Sequence, residues 1–412
     1  MITEEPRSFM EYTLQCVECK RKYEITRDIL YACPVCALGQ KENEPLRGML
    51  RVLLPYDELS AELDRYALQT RDLLPVSDGT LFNELCRHTP LLVSGRVCKD
   101  LDYPGLYLKD EGVNPTGTIE DRASCLIAEF ALHYDVERIV ASMRGHAGSS
   151  MAGVCAHTGL ESILFMAENA NRFEYAQSCL YGARILPVKG NEDDVYSLCM
   201  KFTEKFGGLN RNTAYNPFSI EGLKTAAIEM YLQLGNRAPD YVFIPSSDGS
   251  VVSGIYKGFY DLFQFDWIEK IPVLVAVQAE GRDALVRSIA AGEFNADEAH
   301  DNKNPGHMNC PQNAIMALMD LDKSNGFGVT VDDAHIQDAH RYLGQQAGVC
   351  TDLSGACAFA GFLASKEKIE KDATAVVLFT GSGLKELCTA RYDSIRPDPL
   401  EPDIEKLSAS LE

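Results

Sequence analysis

The chain has 412 residues and a mass of 45.5 kDa, too much for one compact core, which suits two domains plus a small appendage. Its 60 Asp and Glu against 39 Lys and Arg leave a net charge of −21, a field that repels DNA, RNA and anionic membranes and argues against all three as partners. No apolar run approaches the roughly 20 residues of a membrane span.

The opening MITEEPRSFMEY lacks the basic and apolar segments of an export signal, so the expected compartment is the reducing cytoplasm. The 14 cysteines then read as thiols or metal ligands rather than disulfides. Cys16-x-x-Cys19 and Cys33-x-x-Cys36 stand thirteen residues apart. Each pair puts two thiolates at one turn, and two turns complete a tetrahedral zinc site. Residues 1–45 are too short for a core of their own, so the metal is read as structural. The bland alternative is a knuckle that has lost its metal. A catalytic metal is disfavoured because four cysteines leave no open coordination position.

A helical stretch is predicted near Tyr56–Gln69 and a turn at Asp78-Gly79. From there β-rich runs alternate with helical patterns. The runs are Gly105–Leu108, Arg138–Ala141, Ser162–Met166, Arg184–Val188, Tyr241–Ile244, Pro272–Val277 and Ala375–Phe379. This alternation implies an α/β fold with parallel sheets covered by helices, with function gathered in the loops after strand C-termini. His307-x-x-Cys310 is read as packing rather than as half a metal site, and the tail after Arg396 is acidic and peripheral.

Six post-strand loops carry the chemistry. They are Leu108–Arg122 with its Asn114-Pro-Thr-Gly, Ala141–Ser150, Asn216–Thr225, Pro245–Ser250, Asp352–Cys357 and Phe379–Glu386. In this order and spacing the chain resembles threonine synthase and cysteate synthase, pyridoxal-phosphate (PLP) enzymes of the tryptophan-synthase-β-like fold (PLP fold type II). The resemblance runs from Cys16 to about Glu386. It implies a large α/β domain from residues 46–130 and 226–400, a small one from 131–225 inserted in it, and a peripheral acidic tail at 401–412. It also implies an active site in the cleft between the domains, substrates that are small amino acids or their O-phosphates, and a homodimer.

Three positions depart from the family. Its N-P-T-G-S-F-K-D-R loop carries the Schiff-base lysine, where this chain has Glu120, although Asn114, Thr116, Asp121 and Arg122 match. A carboxylate forms no imine. The glycine-rich phosphate cup becomes Ser247-Asp248-Gly249-Ser250, in which Asp248 could place a negative charge where the phosphate would sit. The loop whose Asn contacts the pyridine oxygen now holds Ser142, Arg144, Gly145, His146 and Ser149, with His146 aligning near that Asn; Thr380 stands where the family has a hydroxyl near the pyridine nitrogen. PLP is therefore not expected as cofactor.

The expected function is a PLP-independent lyase, decarboxylating or eliminating, on a small multiply anionic acid such as a sulfonate or phosphorylated acid, with a place in sulfur metabolism by analogy. Its catalytic candidates are His146, Arg144, Glu120 and Lys109, and its substrate contacts Asn114, Thr116, Arg122, Ser142, Ser149, Asp248 and Thr380. Bland readings stay open beside these. Arg144 pairs with Glu120 or Asp121, His146 is a structural hydrogen-bonding residue, and Glu120 is a partner for Arg122. Asp248 only closes its own loop, while Thr118, Ser149 and Ser150 cap helices. Two other functions also stand: a pseudoenzyme that binds an anionic metabolite or a paralogue, and a PLP enzyme that holds its cofactor non-covalently or on another lysine, Lys109, Lys224 or Lys385.

Overall fold

The structure is a computed structural model that describes residues 11–24, 29–41, 44–76, 80–86, 88–143, 145–170, 172–291 and 312–386. A three-stranded antiparallel ribbon comes first, from β1 (Thr13–Cys16), β2 (Lys22–Glu24) and β3 (Leu50–Leu53) in the order β2-β1-β3. The ribbon is seated on the body by Tyr12, whose ring meets Phe218 edge-on at 5.7 Å, while Phe218 stacks on Phe130 at 3.9 Å. A buried ion pair, Arg51 to Asp320, closes its other face.

Two further sheets follow. One has six strands in the order β12-β11-β10-β13-β5-β4. It is built from β4 (Leu91–Leu92), β5 (Leu106–Asp110), β10 (Tyr241–Pro245), β11 (Val273–Ala279), β12 (Phe327–Val331) and β13 (Ala375–Phe379), and only the β4–β5 pair is antiparallel. The other is fully parallel, in the order β8-β7-β6-β9. It uses β6 (Arg138–Ser142), β7 (Glu161–Ala167), β8 (Arg184–Val188) and β9 (Leu209–Asn210). The central strands are near-continuous apolar runs, as Ala375-Val-Val-Leu-Phe379 is, because helices cover both faces.

All seven strand runs predicted from the sequence are present, Arg184–Val188 and Ala375–Phe379 with the same bounds and the others with edges shifted by a residue or two. The helix predicted over Tyr56–Gln69 is shorter: it spans Tyr56–Glu62 and stops where Leu63 turns to extended backbone. The turn predicted at Asp78-Gly79, the His307–Cys310 segment and the acidic tail lie outside the described residues.

Helix Glu120–His133 positions the site and is buried along most of its length. It packs so closely on helix Pro217–Leu223 that a Cβ at Gly222 would lie 2.5 Å from the Ala123 Cα, so only glycine permits the approach. Asn216 caps that second helix and Pro217 opens it, a pairing that fixes where its first turn begins. Among the described residues no helix is long and apolar enough to cross a membrane.

Candidate active site

The loops after β5, β6 and β13 converge. Thr118 bridges Gly381, and the Ile119 N–H donates to the Thr380 carbonyl at 2.8 Å. Helix Gly145–Thr158 points its first turn at this junction. There His146 Nε2 lies 3.5 Å from Glu386 Oε1, and among the described residues neither ring nitrogen has a hydrogen-bond partner although both are sealed from solvent. Gly381 makes this possible, since a Cβ there would lie 2.4 Å from His146 Cε1 and 2.8 Å from Nδ1.

Two carboxylates flank the ring. Burial pushes Glu386 up, but His146 and the Leu353 N–H outweigh it and hold the carboxyl below its ordinary range. Burial raises Asp352, which caps helix Leu353–Ser365 and accepts from Thr380 Oγ1 at 3.2 Å. Thr116 and Ser149 meet around one amine: Lys385 Nζ donates to the Thr116 carbonyl at 3.0 Å and to Ser149 Oγ at 2.8 Å. The Thr116 hydroxyl and N–H both donate to Asp121.

Glu120 opens its helix, and its carboxylate accepts from the fully buried Arg211 at 2.6 Å. Arg211 leaves β9 and also donates to Thr213 at 2.6 Å. Among the described residues Glu120 thus pairs with Arg211 and not with Arg122. Asp248 closes its loop: Oδ1 accepts the Ser250 N–H at 2.9 Å and Oδ2 the Ser250 hydroxyl at 2.8 Å. Its own carboxylate thereby occupies the first N–H of helix Ser250–Gln264, and burial followed by the charge of Glu120 raises it. Ser142 donates from its N–H and its hydroxyl to Asn212 Oδ1.

The residues between 83 and 381 match the sequence profile of the family described as pyridoxal-phosphate dependent enzyme. The chain belongs to that family. It is 29% identical to the threonine synthase of Methanocaldococcus jannaschii over 96% of this chain and 98% of that one. It is 30% identical to the threonine synthase of Halalkalibacterium halodurans over 78% and 89%. Among solved structures it resembles the T.th. threonine deaminase, with a TM-score of 0.62 at 20% identity over 73% of this chain and 96% of that one. Maize serine racemase gives 0.62 at 18% over 75% and 93%. These neighbours establish the fold: PLP fold type II, with an N-terminal cysteine cluster added.

Within this family scaffold, two expected site residues are placed elsewhere. Lys109 is fully buried, with Nζ donating to Glu229 Oε2 at 2.7 Å, to Gln233 and to the Thr89 carbonyl. Arg122 is equally buried and spends its donors on Glu111, Glu229, Thr89 and Thr225. Both belong to one closed ionic network, because unpaired charge at such depth costs several kcal/mol. Asn114 borders it, donating to Glu111 at 2.7 Å, and among the described residues its Oδ1 has no partner. Arg144 lies outside the described residues.

Sequence reasoning missed Arg211 as the partner of Glu120, and it passed over Asp352 and Glu386 inside loops it had singled out. The usable signal was position: Arg211 directly follows β9, and Glu386 lies in the loop after β13.

The four cysteines do come together. The sulfurs of Cys16, Cys19, Cys33 and Cys36 lie within 4.8 Å of one another, and Cys19 and Cys33 are 3.8 Å apart. A tetrahedron with zinc–sulfur bonds of about 2.3 Å needs about 3.8 Å between sulfurs, so the donor set fits a structural metal. The knuckle loop reaches the site: Tyr31 stacks on Tyr215 at 4.7 Å and its hydroxyl accepts the Asn210 N–H at 3.0 Å, one residue from Arg211.

Proposed function

We propose that this threonine-synthase-like member of the family is a lyase that works without PLP, on a small acid bearing a second anionic group, with zinc held by the four cysteines for stability. The carrying observation is the 2.6 Å pair between Glu120 and buried Arg211. By the family resemblance Glu120 stands where an imine-forming amine is required, and its carboxylate is committed to a guanidinium. Asp248 adds to this by filling with its own oxygen the helix terminus that a phosphate would need. PLP does not fit these residues.

His146 is the proton-transferring group. Glu386, kept ionised, faces Nε2 and orients the ring, which leaves Nδ1 as the nitrogen that takes or gives a proton. The first N–H groups of helix Gly145–Thr158 receive the anionic end of the substrate. In an elimination, His146 removes a proton from a carbon acidified by its substituent, and the leaving group departs as an anion with the bond's electron pair.

Two measurements test this. The purified chain titrated with PLP will develop no imine absorbance, and Glu120→Lys will not create one. Its amine would face Arg211, at a cost of about 4 kcal/mol for like charges about 4 Å apart at an effective dielectric of about 20. Threonine synthase activity in either protein would overturn the proposal. The second measurement follows release of carbon dioxide, phosphate or sulfite from a panel of small phosphorylated and sulfonated acids. His146→Gln is expected to lower turnover about 10²–10⁴-fold, the usual contribution of a positioned acid–base group.

A further inference from the structure

Three fully buried lysines each pair with a carboxylate: Lys109 with Glu229 at 2.7 Å, Lys224 with Asp261 at 2.7 Å and Lys257 with Asp261 at 2.6 Å. Lys385 is different. Its Nζ donates to a backbone carbonyl and a hydroxyl, and among the described residues no carboxylate reaches ion-pair distance. It is held against the Thr116-Gly117 turn, where a Cβ at Gly117 would touch its Cδ at 3.4 Å, so the turn's glycine makes its bed. Its neighbour Glu386 faces His146, and its acceptor Ser149 donates in turn to the His146 carbonyl.

We propose that Lys385 is the covalent-binding residue of this cleft, and that its ligand is a small acid carrying a ketone or aldehyde. The inference rests on the PLP-free reading above and supplies what that reading lacks, a sink for the electron pair released when a bond to carbon breaks. An amine held by neutral acceptors in a half-buried site has little to stabilise its proton. Burial brings the Lys385 ammonium down to about 8, against only partial opposition from Asp121, Asp352 and Glu386. At pH 7 about 10% is then free amine, compared with less than about 0.1% for an ordinary lysine. The free amine is the nucleophile.

The chemistry balances without a redox partner. The Nζ lone pair attacks the carbonyl carbon as the C=O π pair moves to oxygen. Proton transfer and loss of water leave an iminium. If a carboxylate sits one carbon from the iminium carbon, the C–C pair flows to nitrogen and carbon dioxide departs. The enamine takes a proton at carbon from protonated His146, and water hydrolyses the iminium to restore the amine.

The test is reductive trapping of the full-length protein with pyruvate and borohydride, followed by peptide mapping. One adduct per chain is expected, on Lys385. Its yield, corrected against lysine acetylated at its α-amine and treated in parallel, should rise about tenfold from one pH unit below about 8 to one unit above it. Lys385→Arg, with unchanged circular dichroism, should abolish it. An adduct on another lysine of the wild-type chain, or none at either pH, overturns the assignment whatever the variant does. A parallel incubation with PLP separates the two readings. A stoichiometric pyridoxyl adduct on Lys385 overturns the PLP-free reading and this inference together. Absence of both adducts overturns only the role of Lys385.

Discussion

Glu229→Ala will destabilise the protein by about 3–5 kcal/mol, the range for removing one partner of a buried ion pair, read from the midpoint of denaturant unfolding. Glu229 holds Arg122 through two hydrogen bonds of 2.8 Å and Lys109 through one of 2.7 Å. Lys109 can shed its proton when its partner goes, since burial already lowers its ammonium despite Glu229. Arg122 cannot, and among the described residues keeps only Glu111 as counter-charge. Loss of the arginine's compensation therefore dominates.

The same group leaves a mark on the acid limb of stability. Burial alone would raise the Glu229 carboxyl, but Arg122 and Lys109 outweigh burial and bring it down to about 2. A carboxylate lowered on folding contributes stability that is full above its unfolded value, about 4.3, and lost as pH falls through the folded value. The wild-type chain should lose stability as pH falls between these values. Glu229→Ala should lose less over that window. A parallel profile would show that the network is not charged as described.

Cys33→Ser is expected to have an effect of similar size by a different route. It should release one zinc per chain, read by elemental analysis, and lower stability by on the order of 5 kcal/mol. That is less than the roughly 10–16 kcal/mol of isolated zinc-finger peptides. The difference follows from packing: Tyr12, Leu14, Leu50 and Val52 of the ribbon join the main core and hold part of it without metal. A chelator should reproduce the effect on the wild-type chain. Retained zinc in the variant would count against the four-sulfur site. A change in near-ultraviolet circular dichroism should accompany release, because the Tyr31–Tyr215 stack depends on the knuckle loop.

The contrast between these residues explains how far the sequence could be read. The central parallel strands were legible because burial on both faces demands unbroken apolar runs, such as Tyr241–Pro245 and Ala375–Phe379. β4 and β9, two residues each, are too short for any periodicity, and β12 is only partly buried and carries a glycine. Cysteine pairs announce themselves by spacing, so their meeting was legible too. The network around Lys109 and Arg122 was not legible because a charged residue near the end of a strand or the start of a helix looks the same whether it faces a cleft or a partner. What decides is Glu229, 120 positions from Lys109 and 107 from Arg122, and such pairings leave no local trace. Arg211 escaped for the same reason, since its strand was invisible and its partner lies 91 residues upstream.

The bond between Glu120 and Arg211 has a mechanical side. Glu120 begins the helix that comes after β5 of the six-stranded sheet, and Arg211 comes directly after β9 of the four-stranded one. Parting Glu120 from Arg211 would strand a guanidinium in a dry interior. This joint is therefore a rivet: any motion that parts the two residues must carry the cost of a buried, unpaired charge.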